Sequence, residues 1–418
     1  MNVNLAVRAL AGALAVEEAR NPAANAIDEM RSDRVQVGSD TVRSADDKVC
    51  SAADDVVGYV RKDGIFARPP GPTHINEPCL LYAESTIAVT SGYGQSPEVF
   101  SELTDPREWL ETFWELPGGI PSHDTFNRVF AALDPEEMER GFAAWVSSIA
   151  KLTAGEVVAI DGKTLCGTRE AGKKQLVHLV SAWASANNLV LAQRKVDEKS
   201  NEITAIPKLL DALELAGTVV TIDAMGCQRS IAEKIVAKKA NYVLAVKENQ
   251  PLLLADVKDS FKMLVPEAVS EQVDCGHGRV ETRRCSVLGD LTLLDRAGDW
   301  AGLRSLVRIE AERFHKATGK TEREVRYYIA SLTADAGRFN ELIRHHWGIE
   351  NKLHWVLDVA FGEDLDRKRA GNAAQNFSRL NRIALNLLKQ ESSFQRSIRS
   401  KRLKAARNQD YMLKLLGV

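Results

Sequence analysis

Three acidic residues, far apart in the chain, have the types and settings that phosphoryl transfer needs. Asp161 closes the apolar run Glu156-Val-Val-Ala-Ile-Asp, and Asp223 closes Thr218-Val-Val-Thr-Ile-Asp. Glu350 falls in a helical pattern over 338–361, where Ile343, Trp347, Glu350, His354 and Leu357 recur at three- and four-residue steps. Two strand-terminal aspartates and a helical glutamate are hard oxygen donors on rigid supports. They suit two divalent cations about 3.5–4 Å apart, Mg²⁺ in the first place with Mn²⁺ as a substitute. In such a site one ion activates water or a 3′-hydroxyl, and the other stabilises the leaving oxygen of an in-line displacement. Asp161, Asp223 and Glu350 are therefore the expected catalytic residues and metal ligands. Gly162-Lys163-Thr164 and Ala224-Met225-Gly226 after the aspartates predict tight turns that leave both carboxylates accessible at one sheet edge.

The elements that must position these residues can be read from periodicity. Val157–Asp161, Leu176–Ala184 and Leu189–Val196 read as strands, with Asn187-Asn188 as the turn between the last two. Ile203–Leu215 carries a helical stripe; a strand over Val219–Asp223, a helix over Ser230–Ala240 and a strand over Tyr242–Val246 follow. The order β-β-β-α-β-α-β with aspartates closing strands one and four is that of a ribonuclease-H-like mixed sheet, an α/β fold. The 127 residues from Asp223 to Glu350 exceed what that fold requires. Alternating segments at Val280–Leu288, Leu303–Phe314 and Glu322–Leu332 predict a β-rich insertion. Upstream, capping signals at Ser122 or Asp124 and at Asp134-Pro-Glu-Glu start helices over Thr125–Ala132 and to about Ile149. Expected boundaries are 1–75 for a poorly ordered segment with one helix over Val3–Glu18, and 76–152 for a small helical domain. The core runs over 153–254 and 338–390 around an insertion at 255–337, and a basic helical tail occupies 391–418.

Composition narrows the setting. With 44% hydrophobic and 27% charged residues the chain is ordinary globular protein. The net charge of −2 hides an asymmetry, since residues 367–418 hold 13 Lys and Arg against two acids. A basic end predicts a polyanionic partner, or else a solvated helix face. Six scattered cysteines form no CxxC pair, which fits a reducing cytoplasm. No apolar run approaches the roughly 18–20 residues of a membrane span. The chain lacks a His-Glu-x-x-His run, so His346, Glu350 and His354 are not read as a zinc-hydrolase helix. Both histidines are expected to be internally satisfied or DNA-facing. Cys275-Gly-His277 with Cys285 lacks the spacing of a structural zinc site.

Several polar residues near the predicted sheet edge suit phosphate or base contacts: Lys163, and Lys247, Asn249 and Gln250 directly after the fifth strand. An ordinary strand-to-helix cap explains the latter three equally well, with Pro251 at the helix start. His277 and Arg279 lie in a polar loop, and His346 and Asn351 flank Glu350. Arg367 and Arg369, with Arg379 and Arg382 beside the apolar helix Phe377–Leu388, suit phosphate contacts that carry no sequence information.

These words also occur together in a known group. Gly119-Ile-Pro-Ser-His-Asp-Thr-Phe, Ala159-Ile-Asp-Gly-Lys163, Asp223-Ala-Met-Gly-Cys-Gln228 and Tyr242-Val-Leu-Ala-Val-Lys-Glu-Asn-Gln250 are joined by His277-Gly-Arg279, His346-Trp-Gly-Ile-Glu-Asn351 and Leu353-His-Trp-Val-Leu-Asp358. From about residue 80 to 390 the chain resembles insertion-sequence DDE transposases of the ISAs group, which include the H-repeat-associated proteins beside Rhs elements. The resemblance implies a DNA transposase acting on double-stranded terminal inverted repeats and target DNA. It also implies metal-bound Asp161, Asp223 and Glu350, and a cytoplasmic, nucleoid-associated setting. Synapsis of two ends implies a homodimer. Related transposases carry Tyr-x2-Arg-x3-Glu-x6-Lys around the glutamate; here those places hold Ile343, His346 and Leu357, so contacts assigned to that signature do not transfer. Two other readings stay open: a ribonuclease-H-like nuclease without strand transfer, and an inactive DNA-binding transposase remnant.

Overall fold

A computed structural model describes residues 123–169, 176–197, 201–276, 278–333 and 335–416. The expectations for residues 1–75, for residues 76–122 of the small helical domain, and for His277 lie outside the described residues. The described chain forms two compact units, one of residues 150–164 and 178–355, the other of 123–149, 165–177 and 356–416 in its described parts.

The first unit is built on one nine-stranded mixed sheet. Its strands are β1 (Val157–Leu165), β2 (Val177–Ala184), β3 (Leu189–Lys195), β4 (Val219–Ile222), β5 (Asn241–Val246), β6 (Ala268–Gly276), β7 (Arg279–Leu288), β8 (Ser305–His315) and β9 (Lys320–Ala330), in spatial order 3-2-1-4-5-9-8-7-6. The 3-2-1-4-5 half, with β4 parallel to β1 and to β5, is the expected ribonuclease-H-like arrangement. Val157–Ile160 and Val219–Ile222 are buried at every position. Parallel strands covered on both faces require such unbroken apolar runs. Asn188 takes a left-handed conformation (φ 52°) in the β2–β3 turn, which asparagine tolerates better than most residues.

The long insertion extends this sheet: β9 pairs antiparallel with β5, and β8, β7 and β6 follow as an antiparallel meander. Strand β6 was not expected from sequence. It is the outer strand, and its nine residues (AVSEQVDCG) are half-exposed or exposed throughout, so burial imposes no apolar alternation on them. Beyond the core, cross-strand pairs such as Arg313–Glu281, Arg313–Glu324 and Arg323–Glu312 line the meander. Cys275 and Cys285 belong to opposite strands of one hairpin, five register positions apart (Cys275 faces Val280) or about 17 Å, so they share no metal.

Helices cover the sheet. Helix α3 (Glu202–Asp211) packs on β3 and on α4 (Arg229–Ala237), α4 on β5, and α5 (Pro251–Met263) on β9. Helix α6 (Ala336–His346) starts where the Asp335 carboxylate accepts a hydrogen bond from Arg338 N at 2.7 Å. Its Phe339, Leu342 and Ile343 enter a core with Val157, Val219, Val243, Val307 and Ile309. Burial of such side chains contributes roughly 1.5–3 kcal/mol each, so α6 is anchored to the strands that carry the aspartates.

In the second unit, α1 (His123–Ala132) and α2 (Pro135–Ile149) pack on α7 (Ala373–Gln390), with Phe130 and Phe377 rings 4.6 Å apart. Helices α8 (Ile398–Arg407) and α9 (Gln409–Leu416) complete it. Here the structure corrects the reading of the basic tail. Arg379 and Arg382 are fully buried and offer nothing to an external phosphate. Arg379 donates to Pro135 O and pairs with Glu139, and Arg382 donates to Glu363 Oε1 at 2.7 Å. Lys401 donates to Leu388 O, and Arg402 stacks on Phe361, while Arg396, Arg399 and Arg407 remain exposed. Part of the charge that looked like a polyanion surface thus serves internal pairing. We expect Glu363→Ala, which strands the buried Arg382 guanidinium, to lower stability by about 3–5 kcal/mol in urea titrations. The Glu363→Met, Arg382→Met double variant should lose far less; a single variant within 1 kcal/mol of the parent would contradict this account.

Candidate metal centre

The parallel register places the two aspartates. Ile160 pairs with Ile222, so Asp161 and Asp223 are the next residues on neighbouring strands, whose axes lie about 4.8 Å apart. Their surroundings differ from the predicted pair of open turns. After Asp161 the chain does not turn: β1 continues to Leu165, and Asp161 is half-buried. Asp223 does end its strand. Its Oδ1 accepts hydrogen bonds from Met225 N (3.1 Å) and Gly226 N (3.4 Å), capping the short turn Ala224–Gly226.

Glu350 begins a widened π-helical turn, Glu350–His354, beyond α6. The Trp355 N–H donates to Glu350 O, five residues back, where an α-helix would use the residue four back. The expected single helix 338–361 is therefore α-helical at its start and π-helical at the glutamate; a second π turn, Leu357–Phe361, belongs to the other unit. Departures of this kind concentrate at functional sites. Ile343 and Leu357, at two of the positions of the related transposase signature, are buried core residues.

Donor atoms of Asp161, Glu350 and His354 all lie within 4.8 Å of one another. His354 is buried, with Nδ1 hydrogen-bonded to Glu350 Oε2 at 3.1 Å and 3.7 Å from Asp161 Oδ2. Its Nε2 is buried with no hydrogen-bond partner among the described residues. Sequence reasoning set His354 aside as an internally satisfied or DNA-facing residue. The spacing of four from Glu350, which puts both side chains on one helix face, is the signal in the sequence.

Burial pushes the Asp161 carboxyl up to about 6, against the opposing effects of His354 and the Gly162 N–H, and the charges of Asp223 and Glu202 add to the rise. Asp223 is raised too, by burial first and then by Glu202, with the Gly226 and Met225 N–H groups and Lys247 opposing. The His354 hydrogen bond holds Glu350 below the usual carboxylate range, against its own partial burial, and Lys163 adds to that lowering. Among the described residues Asp161, Glu350 and His354 form a donor set of hard oxygens and one borderline nitrogen, and Asp223, level with Asp161 in register, is not in that group. That set fits a divalent cation.

The residues expected to touch DNA divide in two. Asn249 donates to Ala224 O (2.6 Å) and Gln250 to Cys227 O (2.9 Å), so both brace the turn that carries Asp223. His346 is held to Thr221 Oγ1 at 3.0 Å, and burial pushes its pKa down to about 4, leaving it neutral near pH 7. Lys163 is buried on β1. Asn249, Gln250 and His346 have internal work because their side chains meet partners from β4 and its turn, and the charge of Lys163 acts on Glu350. Lys247, Arg279, Asn351, Arg367 and Arg369 are exposed, although Asn351 donates to Trp347 O and Arg369 to Gly167 O.

A ribonuclease-H-like sheet with acidic residues abreast on β1 and β4 and a glutamate on a later helix defines the class of nucleic-acid-processing phosphoryl-transfer proteins. Residues 153–387 match the family model described as the transposase DDE domain, and residues 79–146 match the DDE_Tnp_1-associated model. The chain belongs to the DDE transposase family. "Putative transposase YncI" of Escherichia coli O157:H7 is 40% identical over 342 residues, covering 80% of this chain and 87% of that protein. "H repeat-associated putative transposase YhhI" of Escherichia coli K12 is 39% identical over 323 residues, covering 74% and 84%. The family acts on DNA and uses divalent metal in general. Among the described residues no helix is long and apolar enough to cross a membrane.

The Asp161 environment gives a measurable consequence. Its folded-state pKa of about 6 exceeds the ordinary 3.8, so folding takes up a proton in that interval, and metal-free stability falls as pH rises from about 4 to 6. Asp161→Asn should therefore raise the metal-free unfolding free energy at pH 7 by about 1–3 kcal/mol and abolish most of the Tm increase on adding Mn²⁺. Equal or lower metal-free stability of Asp161→Asn would refute this.

Proposed function

We propose that the protein is a DNA transposase that cleaves insertion-sequence ends and joins them to target DNA, with Asp161, Asp223 and Glu350 as its catalytic carboxylates. The observation that carries this reading is the register: Ile160 faces Ile222, so the aspartates stand side by side, and the Glu350 carboxylate lies with that of Asp161. Asp161, Asp223 and Glu350, with His354 beside them, would hold two Mg²⁺ ions, or Mn²⁺ in their place. Such ions, when bound, supply a low-pKa water or 3′-hydroxyl and electrostatic stabilisation of the leaving oxygen.

The chain's own residues do the rest. Asp161 and Asp223 present charge from strand positions that cannot drift, because the residues preceding both are buried in the sheet. Asn249 and Gln250 keep the turn after Asp223 in place. His354 orients the Glu350 carboxylate through its Nδ1 contact. Lys247, exposed after β5 and close enough to lower the Asp223 pKa, suits a backbone phosphate of the strand being cut. Arg279, Asn351, Arg367 and Arg369 are proposed as further backbone contacts on double-stranded terminal-repeat and target DNA. Synapsis of two ends would use a homodimer, and the working protein would sit at the nucleoid in the cytoplasm. We also propose residues 153–254 and 338–390 as the catalytic core, interrupted by the 255–337 insertion, with 76–152 and 391–418 as flanking helical parts and 1–75 as a separate leading segment.

The test is a terminal-inverted-repeat oligonucleotide with a target duplex in Mg²⁺ or Mn²⁺. Nicking at the repeat end and joining of the 3′ end are expected, and Asp161→Ala, Asp223→Ala or Glu350→Ala should each reduce both by on the order of 10³-fold. Cleavage without joining would identify a ribonuclease-H-like nuclease. Salt-sensitive binding with no cleavage in either metal would identify a DNA-binding remnant.

A further inference from the structure

Among the described residues of the second unit, four basic side chains are buried: Arg379, Arg382, Lys401 and Arg402. Three of them carry a carboxylate. Glu139 pairs with Arg379, Glu363 with Arg382 and Glu391 with Lys401. Arg402 is as enclosed as Lys401, each 6% exposed, yet no opposite charge among the described residues acts on it. Its Nε is buried there without a hydrogen-bond partner.

Arg402 rests on an apolar platform. Its guanidinium lies over the Phe361 ring, 4.4 Å from the centroid, at the end of the π turn Leu357–Phe361. Phe361 in turn packs against the cluster of Leu388, Ala405 and Met412, and α8 is seated on α7, α9 and that turn. Stacking fixes the guanidinium and attracts it to the ring face, but a ring quadrupole does not neutralise a full charge. Burial, and after it the like charge of Arg399, push Arg402 down to about 10 from its usual 12.5. It is still a cation at neutral pH.

Arg399 precedes Arg402 by three residues, so both side chains leave the same face of α8. Arg399 is exposed, and no acidic residue occurs from Ser392 to Gln409. Two like charges on one helix face, one of them enclosed, oppose folding, and a neutral side chain would pack on Phe361 without that cost. The arrangement is compensated when an anion from outside meets both arginines. A phosphodiester suits it, because its oxygens match the planar guanidinium fork. Arg396 and Arg407, also exposed, continue the positive charge along the same segment, which suits an extended polyanion better than a single carboxylate.

Resting on the DNA reading proposed above, we infer that Arg402 and Arg399 of α8 form a phosphate-binding pair whose occupant is a backbone phosphodiester of DNA. Phe361 is a positioning residue that holds the Arg402 fork in place.

The test measures binding of the full chain to a fluorescein-labelled short duplex of arbitrary sequence by anisotropy over a salt series, with DNA-free Tm in parallel. Arg402→Met keeps an apolar stem on Phe361 and removes the charge. It should weaken binding about tenfold and make the slope of log affinity against log salt shallower by about one. Its DNA-free Tm should stay level or rise, whereas loss of a merely structural arginine would lower Tm and leave the salt slope alone. Arg402→Lys retains the charge without the fork, so it should keep the parent slope while binding less tightly. Arg399→Gln, at an exposed position, should weaken binding with no change in Tm, and it serves as the second variant if Arg402→Met fails to fold. Parent affinity and slope in both Arg402→Met and Arg399→Gln overturn the inference while leaving the transposase reading intact. Poly-glutamate competing better than unlabelled duplex would assign the pair to an acidic protein segment, and inorganic phosphate raising the parent Tm with no Arg402-dependent duplex binding would assign it to the free ion. Either result overturns the DNA assignment. A parent chain that binds no duplex sinks the transposase reading and this inference together.

Discussion

The structure depends on one constraint: strands β1 and β4 pair in parallel with Ile160 opposite Ile222. A slip of one residue would turn every side chain of one strand to the other face. Burial of Val157–Ile160 and Val219–Ile222 on both faces penalises that slip, so the aspartates that follow are held level with each other. The same strands supply Val157 and Val219 to the core that receives α6, which leads into the turn bearing Glu350. Core packing and the carboxylate cluster are thus consequences of the same pairing.

The cluster is electrostatically unfavourable by itself. Burial and like charge raise Asp161 and Asp223, while N–H groups, His354 and Lys247 offset only part of that. A site that concentrates negative charge this way is poised for cations, as the family's general use of divalent metal requires. The π turn fits the same logic. It widens the helix at Glu350, and its Nδ1 contact from His354 links the glutamate to Asp161.

Charge counted along the chain was a poor guide to which basic residues reach the surface. Arg379 and Arg382 sit in an amphipathic helix where periodicity alone marks them as polar-face residues, yet both are enclosed by α1, α2 and the Glu363 segment. Asn249 and Gln250 likewise look like ligand groups at a strand end, yet they hold the turn that supports Asp223. Polar residues of this kind reveal their role only through partners nineteen or more residues away.

The chain's local patterns determined a good deal. Unbroken apolar runs identify β1, β4 and β5, because a parallel strand buried on both faces tolerates little else. The aspartates at the ends of the first two runs, the helical stripe around Glu350 and the family's ordered words were enough to name the fold and the family. Strand β6 escaped because an exposed outer strand has no burial to write a pattern into it. Tertiary structure alone decided that His354 joins Asp161 and Glu350, that Glu202 and His178 fill the space beside Gly162, and that two basic residues are core. The reason is physical: periodicity records which face of an element is buried, whereas the partner met there is fixed by packing between segments distant in sequence.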